Sequence, residues 1–296
     1  MNISETRKGE LAILFSTVLW GLTPVIVLLS YGSVGPLTSL AFTTLLAAGF
    51  FAIVITFKKG WNDFLKPGVF KYLALIALFI GILYYSIYFV GLKYTTAGNA
   101  SLILLMEVFF NYLFFNIWKK EAFSAAHILG SLFMLVGASV VLLKDFSGFN
   151  KGDIIVLLAN LFSPAGNYFQ QKLRKQISSE AILFGRNLIT VPFVFFLALL
   201  FREKFSLPQL GQSFWYLLIS GFLLLGFCKF LWVEGIHRIS VTKASALEAI
   251  GPLFTLLFAY LILRQAPTVW QLASFFPLAA GLVLLTYEKS PKAGVV

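Results

Sequence analysis

The chain has 296 residues, of which 59% are hydrophobic and 12% charged, and its mean hydropathy is +0.89. Soluble domains carry about 25% charged residues, so this composition excludes a soluble domain and points to an integral membrane protein. The net charge of +11 sits at loop ends rather than in a patch, which argues against a nucleic-acid partner, and the lone Cys228 allows no intramolecular disulfide.

Apolar runs recur from end to end, at about 10–30, 36–57, 72–91, 97–117, 126–143, 153–171, 180–201, 214–235, 244–263 and 269–287. Each is long enough to cross a hydrocarbon core of about 30 Å as a helix. The connections are short and carry breakers: Gly32 to Pro36, Pro67-Gly68, Ser147-Gly148, Pro208 and Pro267. The first run is too long for a cleaved signal and no small-x-small site follows it; no lipidation motif is visible. The expected architecture is an all-α membrane protein of ten transmembrane helices.

In chain order, span 1 carries Trp20, Gly21 and Pro24. Span 3 presents Gly81, Tyr84, Tyr85 and Tyr88 on one face, and buried tyrosine hydroxyls need partners. Span 4 carries Thr95, Asn99, Glu107 and Asn111 at multiples of four, a polar stripe that must face the bundle interior or water. Glu107 falls near the midplane, where a charge costs about 3 kcal/mol on insertion scales; it suits a substrate ligand, a proton carrier or a bond between helices. Span 6 has Asn160, Ser163, Pro164, Asn167, Gln170 and Gln171 on one helical face. Pro164 is expected to free backbone carbonyls mid-span, and the Pro24 region of span 1 is expected to break in the matching place. Arg186 in span 7 is a packing or snorkelling residue, or part of a gate. Lys229 in span 8 and Glu248 in span 9 lie at similar depth and are expected to pair; Trp232 adds an aromatic wall.

One stretch occurs twice. Tyr88 to Leu142 aligns with Trp232 to Thr286 without a gap at an offset of 144, so Gly91 meets Gly235, Ala100-Ser101 meets Ala244-Ser245, Phe110 meets Phe254, Phe114 meets Phe258, Ala122 meets Ala266 and Gly137 meets Gly281. Lys8-Gly9-Glu10 matches Lys151-Gly152-Asp153 at an offset of 143. Such duplication decides the fold before any local reading. It divides the chain into residues 1–147 and 148–296, two five-helix units within one integrated transmembrane domain. Five is odd, so the second unit enters the membrane upside down. Inverted repeats are a known route to alternating access around a midplane site.

With both ends on one side, that side holds Arg7, Lys8, Lys58, Lys59, Lys66, Lys71, Lys119, Lys120, Lys172, Arg174, Lys175, Arg238, Lys243, Lys289 and Lys292. The other holds Lys93, Lys144, Lys151, Arg202, Lys204 and Arg264. Fifteen against six places both termini in the cytoplasm.

Leu19-Trp20-Gly21 with Thr23-Pro24, the turn Gly91-Leu92-Lys93-Tyr94-Thr95-Thr96-Ala97 continuing Asn99-Ala100-Ser101-Leu102, and Lys119-Lys120-Glu121 before a helix ending near Gly137 together resemble the EamA-type, ten-helix members of the drug/metabolite transporter superfamily. The resemblance covers essentially the whole chain and implies a carrier of amino acids, nucleotide sugars, amines or other metabolites. Two departures mark divergence of the halves. Glu107-Val108 and Gly251-Pro252 stand where the family often has a Glu-Pro-like pair, and Glu121 becomes Gln265.

Enzyme chemistry finds little support. His127 and His237 lie near helix ends, and no HExxH, CxxC, phosphate-cradling loop or Ser/His/Asp arrangement is present. No cofactor or metal site is expected. The expected function is secondary transport of a small polar metabolite, amino acid or amine-like, in the exporting direction across a bacterial-type inner membrane. The expected partners are that substrate, the bilayer and, if coupled, protons. The expected site residues are Trp20, Tyr84, Tyr85, Tyr88, Asn99, Glu107, Asn111, Asn160, Ser163, Asn167 and Trp232, with Lys229, Glu248 and Arg186 as gate or ion-pair residues. A membrane-embedded scaffold that kept the fold is the alternative, and an intramembrane enzyme is less favoured.

Overall fold

The computed structural model describes residues 4–119, 125–143, 150–203, 205–239 and 241–286, with the backbone alone for 116–119, 241, 242, 245 and 246. Lys120, Glu121, Ala122, Lys144, Ser147-Gly148, Lys204, Lys289 and Lys292, and the side chains of Lys119 and Ser245, lie outside what is described. Among the described residues the fold is helical throughout, without strands.

Helix α1 (Glu5–Ser30) and α2 (Pro36–Lys58) are each one long apolar helix. The third span joins α3 (Val69–Ile76), a π-helical segment (Ala77–Tyr84) and α4 (Tyr85–Leu92). The fourth joins α5 (Ala97–Leu104) and α6 (Met106–Lys119), and the fifth is α7 (Ala125–Leu142). The sixth is split into α8 (Lys151–Ala159) and α9 (Ser163–Arg174), and the seventh is α10 (Ser179–Leu200). Then come α11 (Leu207–Leu218), a second π-helical segment (Ile219–Cys228), α12 (Lys229–Ile236), α13 (Val241–Glu248), α14 (Gly251–Leu263) and α15 (Val269–Thr286). Eight of these stretches are long and apolar enough to span a membrane, and α14 is a shorter apolar helix. Several helices begin before their apolar runs because polar residues cap them. Ser4 accepts from the Arg7 amide, Asn150 from Gly152, and Ser206 forms a capping box with Gln209, satisfying amides that have no intrahelical partner.

The expected pair of broken helices is corrected. α1 runs unbroken through Pro24, and the sixth span breaks at Asn160–Phe162, so that Pro164 starts α9, where its missing N–H costs nothing. The matching breaks lie elsewhere. α5 passes to α6 at Leu105 and α13 to α14 at Ala249-Ile250, and the π-helical segments occupy corresponding parts of spans 3 and 8. Nothing in the sequence pattern signalled those π segments.

Contacts between the halves are reciprocal. Gly137 approaches Leu278, and Gly281 approaches Met134, the same pair of positions with the units exchanged. Partners on α15 fall in number as α7 rises, so the two helices are antiparallel and a two-fold axis passes between them. Likewise Lys58, ending α2, pairs with Glu180 at the start of α10. Glu203, just past α10, accepts from the Leu37 and Thr38 amides at the start of α2, at 3.1 and 2.8 Å. A Cβ on Gly35 would run into that carboxylate, which would have to shift off the two amides it holds. Around these axial helices stand two three-span bundles. α1 packs against α12, α13 and α14, while α8 and α9 pack against α3 to α6. Each bundle mixes the units, so neither unit completes a core alone. Exposed Phe196, Phe201, Trp215 and Phe276 belong to an apolar outer belt suited to acyl chains.

Candidate functional site

The two bundles meet around a half-buried polar cluster. From one bundle, the Asn167 amide on α9 donates to Glu107 Oε1 at 3.2 Å and to Asn111 Oδ1 at 3.1 Å, both on α6. The Tyr84 hydroxyl, at the end of the first π segment, reaches Glu107 Oε2 at 3.5 Å. From the other bundle, Lys229 at the start of α12 places its ammonium 3.8 Å from the centre of the Trp20 ring. Glu248, at the end of α13, hydrogen-bonds with Trp232 and lies within electrostatic reach of Lys229 and Glu107. The break after Glu248 and the break before Met106 stand at matching positions of the two units, next to the two carboxylates. Glu107, Asn111, Asn167, Trp20, Lys229, Trp232 and Glu248 are all partly exposed, as groups lining a solvent-accessible space would be.

The remaining expected residues stand elsewhere. Among the described residues Lys229 and Glu248 form no contact ion pair; the ammonium instead lies on Trp20, because a ring face attracts a cation without the geometric demands of a contact pair. Arg186 is buried, not snorkelling. Its guanidinium lies 5.8 Å from the Tyr85 ring centre and donates to Asn187 Oδ1 at 3.0 and 3.1 Å. Tyr88 is buried and stacks on Tyr84. Asn160 is buried and donates to the Ile103 carbonyl at 2.9 Å, holding the end of α5, and Ser163 donates to the Asn160 carbonyl.

Asn99 belongs to a second cluster at the face opposite the N-terminus, which the sequence reading missed. Asp153 accepts from the Thr95 hydroxyl and from the Asn99 amide, the latter at 2.9 Å. The Asn99 oxygen accepts from Gln271 at 2.8 Å, so α5, α8 and α15 are joined. The available signal was the Lys-Gly-acid match. Glu10 corresponds to Asp153, and Lys243 to Asn99. Glu10 and Lys243 do form an ion pair.

That symmetry exposes an asymmetry. Asp153 and Asn99 are buried, whereas Glu10 is partly exposed and Lys243 exposed. On the far face Val25, Ala97 and Ala259 form a buried seal between α1, α5 and α14. At the N-terminal face, α13 makes no comparable contact with α6 or α9 among the described residues. A polar recess of about 440 Å³ lies at this face among the ends of α2, α9 and α12 and the start of α10, lined by Lys58, Arg174, Glu180, Glu234 and His237 among others, with Arg174 reaching the His237 ring at 2.7 Å. On its wall Asp63 is half-buried, which alone would raise its carboxyl; hydrogen bonds from Lys66 and from Ser178 overcome this and hold it below the usual carboxylate range.

A model of the EamA-like transporter family matches residues 7–143 and again residues 150–287. A protein of Archaeoglobus fulgidus named an uncharacterized transporter is 25% identical over 94% of this chain and 85% of its own length. Another of that name from Methanothermobacter thermautotrophicus is 24% identical over 95% and 86%. A solved crystal structure, 19% identical, covers 94% of this chain and 96% of its own with a TM-score of 0.69, which speaks to the fold alone. The chain belongs to the EamA-like transporter family.

Proposed function

We propose that this EamA-like transporter moves a small polar metabolite, an amino acid or amine, out of the cell by alternating access. The two units, residues 1–147 and 148–296, supply the two near-equivalent packings, and the cluster between the bundles supplies the site. Glu107, Asn111, Asn167 and Tyr84 form one wall; Trp20, Lys229, Trp232 and Glu248 form the other. In this reading the N-terminal face is cytoplasmic and the membrane is a bacterial-type inner membrane.

The observation that carries the reading is the unequal burial of two symmetry-related contacts, Asp153–Asn99 and Glu10–Lys243. One sequence motif, built twice, is buried at one face and more exposed at the other. Exchanging the two packings would close the N-terminal face and open the far one, which is the step a carrier needs. In this reading the less tightly packed N-terminal face is the one that loads from the cytoplasm.

Reconstitution in liposomes tests this. Saturable uptake or efflux of labelled amino acids or amines, lost in Glu107→Gln and Asn167→Ala, is the expected result. Flux that never saturates, or folded variants that transport as well as the parent, would contradict it.

A further inference from the structure

The reading of the central cluster as the substrate site leaves its chemistry open, and the placement of Lys229 narrows it. Lys229 is a cation within a membrane span, where an ammonium needs compensation. Two carboxylates, Glu107 and Glu248, share its surroundings, yet it makes a contact ion pair with neither. Its ammonium sits 3.8 Å from the centre of the Trp20 ring, the arrangement by which aromatic faces recognise ammonium ligands. Meanwhile Asn167 and Tyr84 hold Glu107 from the opposite bundle. Two carboxylates against one ammonium leave room for one further positive charge. The flexible four-carbon stem of lysine lets that ammonium withdraw.

We propose that the Trp20 face is a binding position for the ammonium group of the transported molecule, a primary amine or an amine-bearing amino acid, and that Lys229 occupies it in the empty carrier. Substrate ammonium displaces the Lys229 ammonium, which moves toward Glu248 while Glu107 faces the incoming charge. Lys229 thereby acts as a tethered stand-in for cargo. It keeps the empty site charge-compensated and sets the affinity by competition. The wild-type carrier binds amines weakly for that reason, a property suited to release on the far side.

The probe is n-butylammonium, with n-butanol and butyrate as controls, read by tryptophan fluorescence and calorimetry on the purified full-length chain. Lys229→Gln removes the competitor, so butylammonium should bind about tenfold more tightly; butanol and butyrate should not change. Adding Trp20→Leu should abolish that gain. A second measurement, independent of whether Lys229→Gln folds, uses wild-type protein with reductively ¹³C-methylated lysines. The Lys229 resonance, assigned by its loss in Lys229→Arg, should start ring-shifted and lose that shift as butylammonium is added. Equal binding of butylammonium and butanol, or a Lys229 resonance indifferent to saturating amine, overturns the proposal. If saturable flux of some other solute persists alongside that result, the transport reading survives and the ammonium assignment alone falls.

Discussion

Gly98 sits where the two bundles touch at the far face, and a methyl group there should favour opening of that face. A Cβ at Gly98 would lie 2.6 Å from Leu256 Cδ2 and 2.8 Å from Gln271 Nε2, well inside ordinary van der Waals contact. Both obstacles are ends of side chains and can give partway, so the cost lies within the ~1–3 kcal/mol range of overpacking, about 2 kcal/mol. That cost falls on the far-closed packing alone, whereas the helix-propensity gain from glycine to alanine acts in both packings and cancels. Gly98→Ala should therefore raise the far-open population about 30-fold. The readout is alkylation of Ser101→Cys, in a Cys228→Ser background, by a membrane-impermeant reagent from the far side. Ser101 is 8% exposed in the closed packing, so its labelling rate follows opening. Gly49, whose Cβ would meet nothing within 4 Å, provides the control, and Gly49→Ala should leave labelling unchanged. If Gly98→Ala lowers thermal stability but leaves the Ser101→Cys rate where it was, the far-face contact is not a gate and the reasoning fails.

Other consequences are equally open to measurement. Glu107→Gln should abolish substrate flux while costing under about 1 kcal/mol of stability, since an amide oxygen still accepts from Asn167; a large fall in melting temperature would assign Glu107 to structure. Glu203→Ala removes the acceptor for the Leu37 and Thr38 amides and should cost about 1–2 kcal/mol, seen as a lower melting temperature with substrate affinity intact. The Asp63 carboxyl is held below its ordinary 3.8, so its stabilisation is fully present above that pH and is lost as pH falls through the lowered value. Asp63→Asn should lower stability at neutral pH, where the charged carboxylate acts, and leave the acid end nearly unaffected, so that the acid limb flattens; an unchanged limb would refute the assignment.

Composition and run length made the helices legible, because a bilayer demands about 20 apolar residues per crossing. The duplication made the pairing legible as well: Gly137 and Gly281 are matched in sequence, and each approaches the position equivalent to the other's partner. Among site residues, Glu107, Asn111 and Asn167 could be placed together because their helical spacing puts each set on one face. Helical spacing says nothing of depth relative to another helix, which is why Asn99 and Glu107, on one stripe, belong to different clusters. The Lys229–Glu248 pairing followed from depth and sign; it overlooked Trp20 because a ring face competing for a cation leaves no pattern in a one-dimensional chain. Pro24 was read as a break, yet a helix packed on several sides absorbs one lost hydrogen bond.

If two exchanged packings of the equivalent units open the two faces in turn, the faces must move in opposite senses. Spin labels on exposed Lys172 and Lys243 report the gap between bundles at the N-terminal face, and labels on exposed Lys93 and Arg264 report the far face. Pulsed electron resonance distances, taken without and with saturating substrate or in the Gly98→Ala background, should change in opposite directions, one pair closing as the other parts. Two distances that stay fixed, or that lengthen together, would contradict the account.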